Sequence, residues 1–79
     1  MTVKVKIYSE CKYNPTAFKT AEIEYTITDW AVKVLTAKEV AEMGFGKTGG
    51  TDEYLILTLE NGTQLIFLNS YVDMFMLKR

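Results

Sequence analysis

Thr20-Ala21-Glu22-Ile23-Glu24-Tyr25-Thr26-Ile27-Thr28-Asp29-Trp30-Ala31-Val32-Lys33-Val34, residues 20–34, is the stretch on which the fold turns. Its first half alternates with the period of a strand, placing Ala21, Ile23, Tyr25 and Ile27 on one face and Glu22, Glu24 and Thr26 on the other. After Ile27 the parity of the apolar positions flips to Trp30, Val32 and Val34. Two local structures produce such a flip. A tight reversal at Thr28-Asp29 would make a hairpin in which Ile27 meets Trp30, Tyr25 meets Val32 and Glu24 meets Lys33, with all the apolar positions facing inward. A β-bulge in one long, bent strand would flip the parity as well, and Thr-Asp is not a favoured two-residue turn. The hairpin pairs both apolar and charged positions, and it is the expectation taken forward.

Outward from this stretch, Thr2-Val3-Lys4-Val5-Lys6-Ile7-Tyr8 alternates in the same way, and Tyr13-Asn14-Pro15 marks the connector between the two. Antiparallel pairing with residue numbers summing to 28 sets Val5 against Ile23, Val3 against Tyr25, Lys4 against Glu24 and Lys6 against Glu22. One register satisfies the apolar face and the charged face together. Thr36-Ala37-Lys38-Glu39 is a capping box that opens a short helix over residues 37–43, stopped by Gly44. Tyr54–Glu60 and Thr63–Leu68 flank Asn61-Gly62, a strong hairpin signal. Both faces of this second hairpin are apolar, so it belongs at the centre, with one face on the core and the other covered by the helix or a partner.

Leu68-Asn69-Ser70-Tyr71-Val72-Asp73-Met74 resembles the short turn before the closing strand of Src-homology-3 domains, which carry Ser-Asn-Tyr-Val there; here Asn69 and Ser70 stand in the reverse order. The paired tryptophans and the proline of that family's peptide groove have no counterpart. The resemblance therefore implies a small barrel with a final strand near Met74 to Leu77, and implies nothing about ligands. The fold expected is a single β-rich α+β domain spanning residues 1–79: a small antiparallel sheet or partly open barrel of 5–6 strands with one short helix.

Composition narrows the function. The chain is 48% apolar and 24% charged, ordinary for a globular domain, and its net charge of −1 exerts no global pull toward nucleic acid or anionic lipid. Charge is uneven, with +3 over residues 1–20 and −5 over residues 21–60. Cys11 is the single cysteine, no hydrophobic run reaches spanning length, and the first residues lack a signal-peptide core, so the expectation is a complete, cytoplasmic chain.

Gly44-Phe45-Gly46-Lys47-Thr48-Gly49-Gly50 invites reading as a phosphate loop, but that motif needs a glycine where Ala41 stands, and a helix after it where a strand pattern follows. No histidine is present to activate Cys11, and Ser9 and Ser70 have no evident base. Asp52 and Glu53 are the nearest thing to a metal site and read as a solvated turn. No enzyme, cofactor or metal is expected.

Two binding classes remain. Met74-Phe75-Met76-Leu77 is more apolar than an edge strand should be and suits a protein partner or a homodimer through the C-terminal strand, with Phe45 and Lys47 in the neighbouring loop as further contacts. The bland account of the same residues puts Phe75 and Leu77 in the core with Met74 and Met76 outside. The alternative class is a nucleic-acid-binding small β-barrel that uses Lys4, Lys6, Tyr8, Lys12 and Tyr13 to hold phosphates and stack bases, although Glu22 and Glu24 would neutralise two of those lysines. The expectation is a non-enzymatic protein-binding domain of the kind found among small phage and mobile-element accessory proteins, which inhibit a host defence or regulatory protein by covering it.

Overall fold

The computed structural model describes residues 1–43 and 52–77. The chain runs as β1 (Thr2–Tyr8), β2 (Lys19–Leu35), α1 (Ala37–Glu42), β3 (Asp52–Leu59), β4 (Gln64–Leu68), a 3-10 turn (Asn69–Tyr71) and β5 (Val72–Met76). The five strands form one antiparallel open sheet in the order β4-β3-β2-β1-β5. This is the small β-rich fold with one short helix that the sequence implies.

The hairpin expected at Thr28-Asp29 does not form. β2 is a single strand of 17 residues. Its register with β3 slips between Ile27, which faces Leu59, and Asp29, which faces Thr58, so Thr28 is the extra residue of a bulge. The reason is the backbone. A two-residue hairpin turn needs positive φ, and among the described residues no residue except glycine has one. A bulge absorbs the parity change without leaving the β region, at the cost of one unpaired residue and a bend. The Thr28 hydroxyl donates to the Thr58 carbonyl at 3.4 Å across this point. The pairs Ile27–Trp30, Tyr25–Val32 and Glu24–Lys33 are therefore replaced by Ile27–Leu59, Trp30–Leu57 and Val32–Leu55.

β2 consequently serves two ladders in succession. Its first half pairs with β1 in the expected register, Lys4 opposite Glu24 and Lys6 opposite Glu22, and its second half pairs with β3. The two ladders pack through Val3, Val5, Ile27, Leu55, Leu57 and Val72, with Tyr25, Leu65, Phe67 and Met74 at the margin. The opposite face of β3 and β4 is covered by α1: Val40 packs with Leu35, Tyr54 and Ile56.

The capping box closes as expected, with the Glu39 amide donating to the Thr36 hydroxyl at 3.2 Å and the Thr36 amide to the Glu39 carboxylate at 3.1 Å. α1 ends at Glu42, with Met43 as its C-cap; the expected stop at Gly44 lies outside the described residues. At Asn61-Gly62 a hairpin forms through a three-residue connection rather than a two-residue one. The Gly62 amide donates to the Leu59 carbonyl at 2.9 Å, the Leu59 amide to the Thr63 carbonyl at 2.8 Å, and Gly62 adopts φ +86. This is a type I turn closed by a left-handed residue.

A 3-10 turn, Asn69–Tyr71, precedes a final strand, but the sheet stays open between β4 and β5 and does not close into the small barrel that the Src-homology-3 resemblance implies. The closing strand begins at Val72, two residues earlier than expected. It pairs Ile7 with Val72, Val5 with Met74 and Val3 with Met76. Met74 therefore lies on the core face and Phe75 on the outer one, the reverse of the bland account of these residues.

Candidate protein-binding edges

Asp73 anchors the C-terminal strand. It sits opposite Lys6 on β1, and its carboxylate accepts from the Tyr8 hydroxyl at 2.7 Å and from Lys12 Nζ at 3.0 Å, while the same Lys12 Nζ donates to the Val72 carbonyl at 2.8 Å. Lys12 also donates its amide to the Ser70 carbonyl at 2.6 Å, which ties the connector after β1 to the 3-10 turn. Donation by Tyr8, and after it by Lys12, holds the Asp73 carboxyl below the usual aspartate range against the opposing effect of partial burial. The hydrogen bond to Asp73 raises the Tyr8 phenol in turn. The three groups form a clamp that holds β5 against β1.

Beyond the clamp, β5 is apolar and open. Phe75 is 44% and Met76 48% exposed, and among the described residues the strand's outer edge makes no ladder. Lys6 Nζ stands 4.9 Å from the centre of the Phe75 ring, and its charge is shared with Glu22 at 3.7 Å. Of the three residues expected to bind protein on this strand, the structure thus exposes Phe75 and Met76 and packs Met74 against the core. Phe45 and Lys47 lie outside the described residues.

The basic and aromatic residues Lys4, Lys6, Tyr8, Lys12 and Tyr13 do gather on one side of the molecule, but most are engaged. Lys12 and Tyr8 belong to the Asp73 clamp, Lys6 pairs with Glu22, and Lys12 Nζ lies 5.5 Å from the Tyr13 ring. Glu22 also receives Lys19 at 3.2 Å, which is the main cause of its carboxyl lying below the usual range. Tyr13 is the most exposed aromatic of the set.

A second open edge follows from the bulge. Residues 28–35 of β2 lie past the end of β1, whose last contacts here are Ile27 N–H donating to the Met1 carbonyl at 2.8 Å and the Met1 ammonium donating to the Ile27 carbonyl at 3.0 Å, so one side of this half-strand is unpaired among the described residues. It carries Trp30, Val32 and Val34 on one face, exposed by 41%, 44% and 63%. Sequence reasoning missed this surface because the expected hairpin would have buried all three. The visible signal was the poor turn chemistry of Thr28-Asp29.

Along the other face of the same half-strand runs a shallow cavity of about 200 Å³ bordered by Asp29, Ala31, Lys33, Ile56 and Thr58. It is smaller than the roughly 300–1,000 Å³ of ordinary small-molecule sites. Among the described residues no three acidic, cysteine or histidine side chains are grouped to hold a metal, and no helix is long and apolar enough to cross a membrane. No family model matches the chain, and no curated protein and no solved structure matches it either.

Proposed function

We propose that the chain is a non-enzymatic protein-binding domain that receives an extended segment of another protein along the outer edge of β5. The observation that supports this reading is an edge strand with exposed Phe75 and Met76, held in place by the Asp73 clamp before any partner arrives. Unpaired backbone groups supply affinity by continuing the ladder, and Phe75 and Met76 supply apolar contacts that choose the incoming side chains. The clamp lowers the ordering cost of binding, because the strand does not have to be fixed at the moment of association. A domain of this kind acts by occupation, and the protein it covers is inhibited or recruited. The nucleic-acid alternative ranks second because Lys6 and Lys12, which it needs for phosphate, are paired with Glu22 and Asp73.

Capture from a host lysate followed by competition tests the proposal. The wild-type chain retains a protein that Phe75→Asp loses, while Lys4→Glu retains it. Loss through Lys4→Glu but not Phe75→Asp, together with saturable binding of a single-stranded oligonucleotide, would give the function to the basic side.

A further inference from the structure

We infer that residues 28–34 of β2 form a homodimer edge, in which a second copy of this chain adds its own β2 antiparallel about a two-fold axis at Ala31. This surface is separate from the β5 edge and does not depend on the function proposed for it.

The occupant is identified by self-complementarity. Asp29 and Lys33 are exposed, carry opposite charge, lie four residues apart on one face of the open half-strand, and have no ion-pair partner among the described residues. In an isologous antiparallel pair each residue meets a partner whose number is fixed by the axis, and facing residues share a side of the sheet. With the axis at Ala31, Asp29 faces Lys33 of the second copy and Lys33 faces Asp29 of the second copy. On the other side Trp30 faces Val32 of the second copy, and the reciprocal pair repeats the contact. The small Ala31 side chain sits at the axis itself, where the two strands meet their own images.

The neighbouring registers lack this match. With the axis at Val32, Asp29 faces Leu35 and Lys33 faces Ala31; with the axis at Trp30, Lys33 faces Ile27 and Asp29 faces Ala31. Trp30 meets an apolar side chain in all three registers, Val32, Val34 or Trp30 of the second copy, and only the Ala31 axis also pairs both charges, so the charges choose the register. Opposite charges facing one another across a ladder also mark the β1–β2 pairing within the chain, where Lys4 faces Glu24 and Lys6 faces Glu22. The added ladder stops at Val34 of the second copy opposite Thr28, short of the point where Met1 occupies the Ile27 amide. The product joins β4, β3 and β2 of each copy into one continuous sheet and leaves both β5 edges free.

A ladder this short buries less than the roughly 1,600 Å² of a standard interface, so the dimer is weak and concentration-dependent. Sedimentation velocity on the full chain over a concentration series tests it. The wild type moves from monomer to dimer as concentration rises, and the fluorescence of Trp30, the single tryptophan, shifts to the blue over the same range. Asp29→Lys alone and Lys33→Asp alone each turn two attractive pairs into two repulsive ones and weaken self-association at least about tenfold. An equimolar mixture of the two variants, or the doubly reversed chain, restores association to within about threefold of wild type. Phe75→Asp associates as wild type does. Both positions are exposed, and far-UV circular dichroism confirms that each variant is folded. A wild type that remains monomeric throughout assigns the edge to a foreign strand or to none, and overturns the inference. So does a dimer indifferent to either single reversal, or one that neither the mixture nor the double reversal restores.

Discussion

Asp73 holds more of the molecule together than its sequence position suggests, because one carboxylate fastens the last strand to β1 and to the connector that follows it. Its folded value is held below the ordinary 3.8, so the stability it contributes is present above that ordinary value and is lost as pH falls through the lower folded one. Its side chain is about a third exposed, which screens the pair and moderates its worth. Asp73→Asn is expected to cost about 1 kcal/mol, a fall in Tm of about 4–8 °C for a domain of this size. Thermal melts from neutral pH down to about pH 2 check both statements: the gap between wild type and variant closes at the acid end. Tyr8 carries the opposite sign, since its raised phenol contributes stability that is full below the ordinary 10.0 and is lost as pH rises through the folded value. On the helix-covered face, the Tyr54 hydroxyl is buried and has no partner among the described residues. Removing an unsatisfied buried hydroxyl is neutral or favourable, so Tyr54→Phe is expected to leave the melting temperature unchanged or raise it by an amount worth about 1 kcal/mol.

β2 is the element that decides everything else. Its 17 residues, drawn straight, would span about 53 Å, beyond the 38 Å long axis of the molecule, and the bulge at Thr28 is where it turns. Smaller devices fix the other elements. Thr36→Ala removes the side-chain acceptor of the capping box and is expected to destabilise by about 1 kcal/mol. Gly62→Ala meets no neighbouring atom yet places a Cβ at φ +86, so it is expected to cost about 1 kcal/mol through the backbone alone, with Gly62→Asn costing less. Chemical denaturation of each variant measures these values. Much of this was legible because local chemistry and pattern agreed: the capping box, the Asn61-Gly62 turn, and the register of β1 on β2, in which apolar and charged faces demand the same offset. Thr28-Asp29 was not legible, because hairpin and bulge produce the same parity flip, and only the φ angles available to Thr and Asp separate them. The facing of Met74 and Phe75 was hidden for a related reason, since alternation says which residues share a face and not which face meets the core. Asp73 escaped notice because its partners Tyr8 and Lys12 lie far away in the chain, and only the β1–β5 ladder brings them together.

The whole molecule is a thin, open object of 38 × 34 × 16 Å with a radius of gyration of 13.0 Å, against about 11.6 Å for a compact domain of 79 residues. The extra extent belongs to an open sheet with three edges unpaired among its described residues, on β5, on the far half of β2 and on β4, whose hairpin with β3 stands at one end of the sheet and not at the centre where its apolar faces had placed it. Edges of this kind offer unpaired backbone groups and invite added strands. The second edge depends on the continuity of β2: a reversal at Thr28-Asp29 would turn Trp30, Val32 and Val34 back onto Tyr25 and Ile27, bury them, and remove that edge altogether. Interstrand nuclear Overhauser contacts in a uniformly labelled, dilute and monomeric sample test this directly. The account predicts contacts of Trp30 with Leu57, Val32 with Leu55 and Ile27 with Leu59, together with an indole ring readily quenched by iodide. Contacts of Ile27 with Trp30 and of Tyr25 with Val32, with the indole shielded, would contradict it.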